Sequence, residues 1–150
     1  MTKAAEIERI AHGLVDRTLP KCEWTHRAHF AAALWLLDHR DILARAGGMA
    51  PLIRAYNVAT GGVNDDSSGY HETITQASLR GAAAFRARHP QLPLGAVLDR
   101  LMAGPLGDKA WPLDYWSEAR LMSVEARRRW LEPDLQPLPW PPLAPGGEAE

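Results

Sequence analysis

From residue 2 to residue 17 the apolar side chains Ile7, Ile10, Ala11, Leu14 and Val15 recur at helical spacing, with Lys3, Glu6, Arg9 and Asp16 off that stripe. The pattern predicts an amphipathic helix. Thr18-Leu19-Pro20 breaks it, and Thr25 is suited to cap a second helix running to about Arg40 or a little beyond. The middle of that helix, residues 30–37, is apolar on nearly every side, the pattern of a helix at the centre of a bundle. Gly47-Gly48 then marks a turn. A third helix is predicted from Met49, with Pro51 in its first turn, to about Thr60.

Residues 61–69, Gly-Gly-Val-Asn-Asp-Asp-Ser-Ser-Gly, read as the most polar loop of the chain. The loop ends beside a serine able to cap a fourth helix from Tyr70 to about Arg88, which His89-Pro90 terminates. A fifth helix is predicted from Leu94 to Met102, and Ser117 and Ser123 are placed to cap two short ones, the second containing Glu125 to Trp130. From residue 133 onward the chain carries six of its 12 prolines, which predicts an extended tail on the surface. No stretch alternates apolar and polar residues like a strand. The expectation is an all-α fold: a compact bundle of four to five main helices over residues 1–132, with short C-terminal helices, and a proline-rich tail over 133–150.

Composition narrows the function classes. With 150 residues, 46% hydrophobic and 23% charged, the chain is long enough for one domain with a real core. Seventeen basic and 18 acidic residues leave a formal charge of -1 without a run of like charge, which disfavours nucleic acid as a partner. The apolar run at residues 30–37 is far shorter than the roughly 20 residues of a membrane helix, so no membrane partner is expected. A single cysteine, Cys22, and an amino terminus without signal-peptide features point to the cytoplasm.

Two clusters carry the candidate chemistry: Trp24-Thr25-His26-Arg27-Ala28-His29 and Gly69-Tyr70-His71-Glu72-Thr73-Ile74-Thr75. If the second, third and fourth helices run up, down and up, the second and fourth are parallel, and both clusters sit at the same end. Tyr56 and Asn57, at the far end of the third helix, and Asn64, Asp65 and Asp66 in the loop would arrive there too. The third helix, of about 12 residues and about 18 Å, is shorter than a second helix of about 16 residues and about 24 Å. The loop that follows it is long enough to close the gap. His26 and His29 are one turn apart on the face continued by Phe30, Ala33 and Leu36, and His71 shares a face with Ile74, Thr75 and Ser78. A helix amino terminus disfavours imidazolium, and neutral imidazole is the form that binds metals and accepts protons. Asp65 and Asp66 fit turn roles better than ligand roles, and His12, His39 and His89 read as ordinary surface or helix-end residues.

Known motifs mostly fail. His71-Glu72 begins like H-E-x-x-H, but Thr75 stands where the second histidine belongs. Glu23-x-x-His26 has the spacing of a di-iron bundle, yet neither a second copy nor the further glutamates appear at the bundle positions. Phosphate loop, dinucleotide fingerprint and nucleophile elbow are all missing.

The segments Trp24-Thr25-His26-x-Ala28-His29, Gly69-Tyr70-His71-Glu72-Thr73-Ile74-Thr75, Trp116-Ser117, Leu121-Met122-Ser123-x-Glu125-Ala126-Arg127 and Pro133-Asp134-Leu135 resemble a widespread family of uncharacterised small bacterial proteins. That resemblance spans most of the chain and implies no particular activity. At the level of fold the chain is more loosely similar to the DinB-like helical bundles, which hold a divalent metal with three histidines. It differs from them in length, in its proline-rich tail and in carrying two histidines on one helical turn.

The leading expectation is a mononuclear divalent metal site, with zinc, iron, nickel or copper held by His26, His29 and His71. Glu72 would be a fourth ligand or the catalytic base. Tyr56, Asn57 and Thr75 would bind or orient a small polar substrate. One alternative is a metal-free small-molecule binder or acid–base enzyme using the same side chains. Another is a structural or partner-binding helical module, with the tail or the aromatic segment from Trp111 to Trp116 as its contact surface. Oligomeric state is not written in the sequence.

Overall fold

The computed structural model describes residues 2–144, and among these every regular element is a helix. The order is α1 (Lys3–Asp16), α2 (His26–Leu37), α3 (Arg40–Arg45), α4 (Met49–Ala59), α5 (Glu72–Arg88), α6 (Leu94–Ala103), α7 (Glu118–Leu121) and α8 (Val124–Arg128). Short 3-10 turns at Lys21–Glu23, Pro105–Gly107 and Trp111–Asp114 link them. No helix among the described residues is long and apolar enough to cross a membrane.

The polar punctuation explains where the helices start. The hydroxyls of Thr2, Thr25, Ser117 and Ser123 each accept a hydrogen bond from the backbone amide three residues on, which opens α1, α2, α7 and α8. α1 ends at Arg17 in the left-handed region, φ 65°, and the chain folds back so tightly that a Cβ on Gly13 would come within 2.8 Å of Leu19 Cβ.

α2 is the central helix. Every residue from Phe30 to Leu36 is buried, which is what an all-round apolar helix requires. α1 lies along it most extensively, and α5 and α6 pack on other sides. α2 stops at Leu37, short of the expected Arg40, because the chain turns at Asp38 and His39. The His39 ring stacks on Trp35 at 3.7 Å and donates from Nδ1 to the Trp35 carbonyl at 2.7 Å. α3 fills the turn that sequence periodicity assigns to the end of α2. α2 and α4 are therefore nearly equal, at 12 and 11 residues, and the expected length mismatch is absent.

Two contacts fix the direction of α5 relative to α2. At one end Arg86, in the last turn of α5, forks onto Asp38 at the end of α2, with bonds of 3.2 and 3.0 Å. At the other end the first turns of both helices line one cleft. The two run parallel, as the up-down-up topology requires.

The C-terminal third closes around α5. Thr73, fully buried, donates its hydroxyl to the Arg129 carbonyl at 2.9 Å and accepts from the Leu131 amide at 3.2 Å. Trp116 is buried with its indole N–H on the Leu131 carbonyl at 2.9 Å. The proline-rich segment carries no helix among the described residues, bends at residues 134–136 and 139–140, and lies against the bundle: Leu135 donates its amide to the Tyr115 carbonyl, and Trp140 packs edge-on to Trp111. Residues 145–150 of that segment fall outside the described residues.

Candidate functional site

The first turns of α2 and α5 and the length of α4 enclose a cleft of about 340 Å³. Trp24, Ala33, Met49, Ile53, Ile74 and Leu79 give it apolar walls, and His29, Asn57, Tyr70, His71, Thr75 and Ser78 supply polar groups. A second compartment of about 280 Å³ adjoins it, sharing Trp24, His29, Ile74 and Ser78 and adding Thr25, His26, Phe30, Lys109, Trp111 and Pro112. The two histidine clusters do come together, but the three imidazoles do different things.

His71 is locked. It is 9% exposed and stands at the N-cap of α5, where the expected helix start at Tyr70 and the serine cap are both displaced. Its Nδ1 accepts from the Ile74 amide at 3.1 Å, and its Nε2 bonds the Leu121 carbonyl at 2.7 Å. An amide can only donate and a carbonyl only accept, so the ring is the neutral tautomer with hydrogen on Nε2. Burial lowers its pKa, consistent with that neutral form. Neither nitrogen is left for a metal.

His26 is half-buried, with Nε2 on the Leu106 carbonyl at 2.8 Å and its ring edge-on to Phe30. The carbonyl can only accept, so hydrogen lies on Nε2, and Nδ1 has no partner among the described residues. It lines the second compartment and not the first.

His29 is the ring without a partner. Among the described residues no side chain or backbone group hydrogen-bonds it, and it forms part of the wall of both compartments. Trp24 meets it edge-to-face at 4.0 Å. Its surface is open to water through the two compartments while protein crowds the remainder. That crowding, with the positive charge of His26 and Lys109, pushes its pKa down to about 4. At neutral pH it is therefore an uncharged imidazole with one donor and one acceptor.

The expected donors are spread over different hydrogen bonds in this arrangement. Among the described residues no three His, Cys, Asp or Glu side chains are grouped to hold one. The hydrogen bonds above give the physical reason: His71 has spent both nitrogens on the backbone. Glu72, expected as ligand or base, is not on the cleft wall and accepts the Tyr70 hydroxyl instead. Burial and that carboxylate both raise the Tyr70 pKa.

The expected substrate contacts divide. Tyr56 is 0% exposed and donates its hydroxyl to the Leu19 carbonyl at 2.8 Å, so it belongs to the core and does not reach the cleft. Asn57 and Thr75 do line it. Asn57 donates to Asn64 Oδ1 at 2.9 Å, and that same oxygen accepts the Tyr70 amide at 3.0 Å. Asn64 thereby ties the end of α4 to the start of α5. Gly69 makes this closure feasible: its φ is 82°, and a Cβ there would sit 2.3 Å from the Val63 carbonyl oxygen. Asp65 accepts the Ser67 amide and Asp66 pairs with Arg128, both structural roles.

Lys109 and Trp24 are wall residues that sequence reasoning did not assign to a site. Trp24 carried a signal, since it opens the first histidine cluster. Lys109 carried none, because only the fold of the segment after α6 brings it beside His26 and His29. Comparison with protein-family profiles, curated proteins and solved structures finds no match for this chain.

Proposed function

We propose that this protein binds a small molecule in the cleft between α2, α4 and α5, without a metal ion, using His29 as a neutral hydrogen-bonding and acid–base group. One observation carries the reading: of the three clustered imidazoles, His29 alone faces the cleft with both nitrogens unpartnered, while His71 is bound on both sides by backbone. The cleft has the character of a ligand site, with concave apolar walls, a few convergent polar groups and a volume at the small end of the usual range of about 300–1,000 Å³. A neutral imidazole there can take a proton from a bound molecule or orient it by a hydrogen bond.

A metal reading retains one supporting feature. His26 donates Nε2–H to a carbonyl, the outer hydrogen bond that commonly stands behind a metal-binding imidazole, and its Nδ1 is one turn from His29. Two nitrogens are fewer than the three protein ligands of typical mononuclear catalytic sites. Elemental analysis of protein purified without affinity tag or chelator, with thermal shifts on adding zinc, ferrous iron, nickel or copper, separates the readings. The proposal expects no stoichiometric metal and no shift that depends on His29. A stoichiometric ion lost on His29→Ala would overturn it.

A further inference from the structure

We infer that the two adjoining compartments form one bipartite site for a small amphipathic carboxylate, its apolar body between α2, α4 and α5 and its acid group beside Lys109. The inference rests on the reading of the cleft as a binding site and names the chemistry of its occupant.

Three observations support it. The compartments share four wall residues, Trp24, His29, Ile74 and Ser78, so a molecule with two ends can lie across them. Neither compartment is lined by an aspartate or glutamate. Lys109, in the wall of the second, has no ion pair or side-chain hydrogen bond among the described residues, unlike Arg27, Arg86 and Arg128, which pair with Asp99, Asp38 and Asp66. An unpaired ammonium beside an apolar cleft without acids selects an anion over a cation. The charge count limits that anion. One lysine and no arginine line the site, which suits a singly charged carboxylate better than a phosphate, for which arginine forks are the common clamp. Thr25 adds a hydroxyl on the same wall, and Lys109 already acts electrostatically across the second compartment, since its charge contributes to the low pKa of His29.

The test uses ω-phenylalkanoates with one to four methylenes, each against its primary amide, titrated into the full chain. The Trp24 indole N–H resonance reports occupancy because Trp24 walls both compartments. For at least one chain length the acid should bind about two- to fivefold more tightly than the amide, the scale of an exposed ion pair. Added salt should erode that margin and Lys109→Gln should abolish it, while Ser78→Leu, which fills the common wall, should weaken acid and amide together. Acids and amides binding equally, with both blocked by Ser78→Leu, would overturn the carboxylate inference and leave the cleft reading standing. An acid preference surviving in Lys109→Gln would overturn the role of Lys109. If no probe of either series moves the Trp24 resonance, both readings fail. Lys109 lies on an exposed stretch outside the helices, so its variant carries the test even if Ser78→Leu does not fold.

Discussion

Replacing His71 with alanine removes two bonds that a metal-ligand role would not need. The Nδ1 cap on the Ile74 amide is one, and loss of an N-cap costs about 1 kcal/mol. The Nε2–H bond to the carbonyl of buried Leu121 is the other, and leaving that oxygen unsatisfied costs about 1–3 kcal/mol. Together they predict a loss of about 3 kcal/mol in metal-free protein. At about 2–4 °C per kcal/mol for a domain of this size, the melting temperature should fall by roughly 6–12 °C. Urea unfolding with an unchanged m-value is the companion assay. His71→Asn keeps an oxygen that can cap the helix but cannot reproduce the Leu121 bond, so it should recover about 1 kcal/mol. A His71→Ala protein as stable as the parent, altered only in its response to added metal, would refute the reasoning.

Acid sensitivity follows from the same rings. The pKa of His29 is lowered to about 4 in the folded chain, against about 6.5 unfolded, and that of His71 is lowered too. Between those values the unfolded chain binds protons the folded chain refuses, so stability should fall as pH drops from about 6.5 toward 4, and His29→Asn should flatten part of that slope in a urea-midpoint series. The lowered carboxyl pKa values of Asp65, Asp99 and Asp134 act in a separate window, their stabilisation being lost only as pH falls below about 3.9. Gly69→Ala forces a Cβ against the Val63 carbonyl at positive φ and should cost about 2 kcal/mol or more, with amide shifts at Asn64 and Tyr70. Thr73→Val keeps the shape but strands the Arg129 carbonyl and Leu131 amide, so it should cost about 1–3 kcal/mol by chemical unfolding.

Much of the fold is legible in local signals. Thr25, Ser117 and Ser123 announce their helices because capping is a property of a few consecutive residues. The unbroken apolar run of α2 marks it as central, and the lengths of turns and helices are enough to bring both histidine clusters to one end. What local signals leave open is decided by partners far along the chain. The carbonyls that occupy His71 and His26 belong to Leu121 and Leu106, 50 and 80 residues away, and nothing in the spacing of the clusters announces them. Tyr56 is drawn into the core by the Leu19 carbonyl, and Glu72 turns to the Tyr70 hydroxyl at a range too short for helical periodicity to register. Convergence could be read from topology; which nitrogens stay free could not, because that depends on backbone groups whose positions only the folded chain defines.

The division of labour between the histidines is the central claim, and imidazole ¹⁵N chemical shifts at neutral pH, recorded with and without one equivalent of zinc, test it most directly. The account predicts a neutral Nε2–H tautomer for His71 that zinc leaves unchanged, and a neutral ring for His29. Joint movement of the His26, His29 and His71 nitrogens on adding zinc would contradict it.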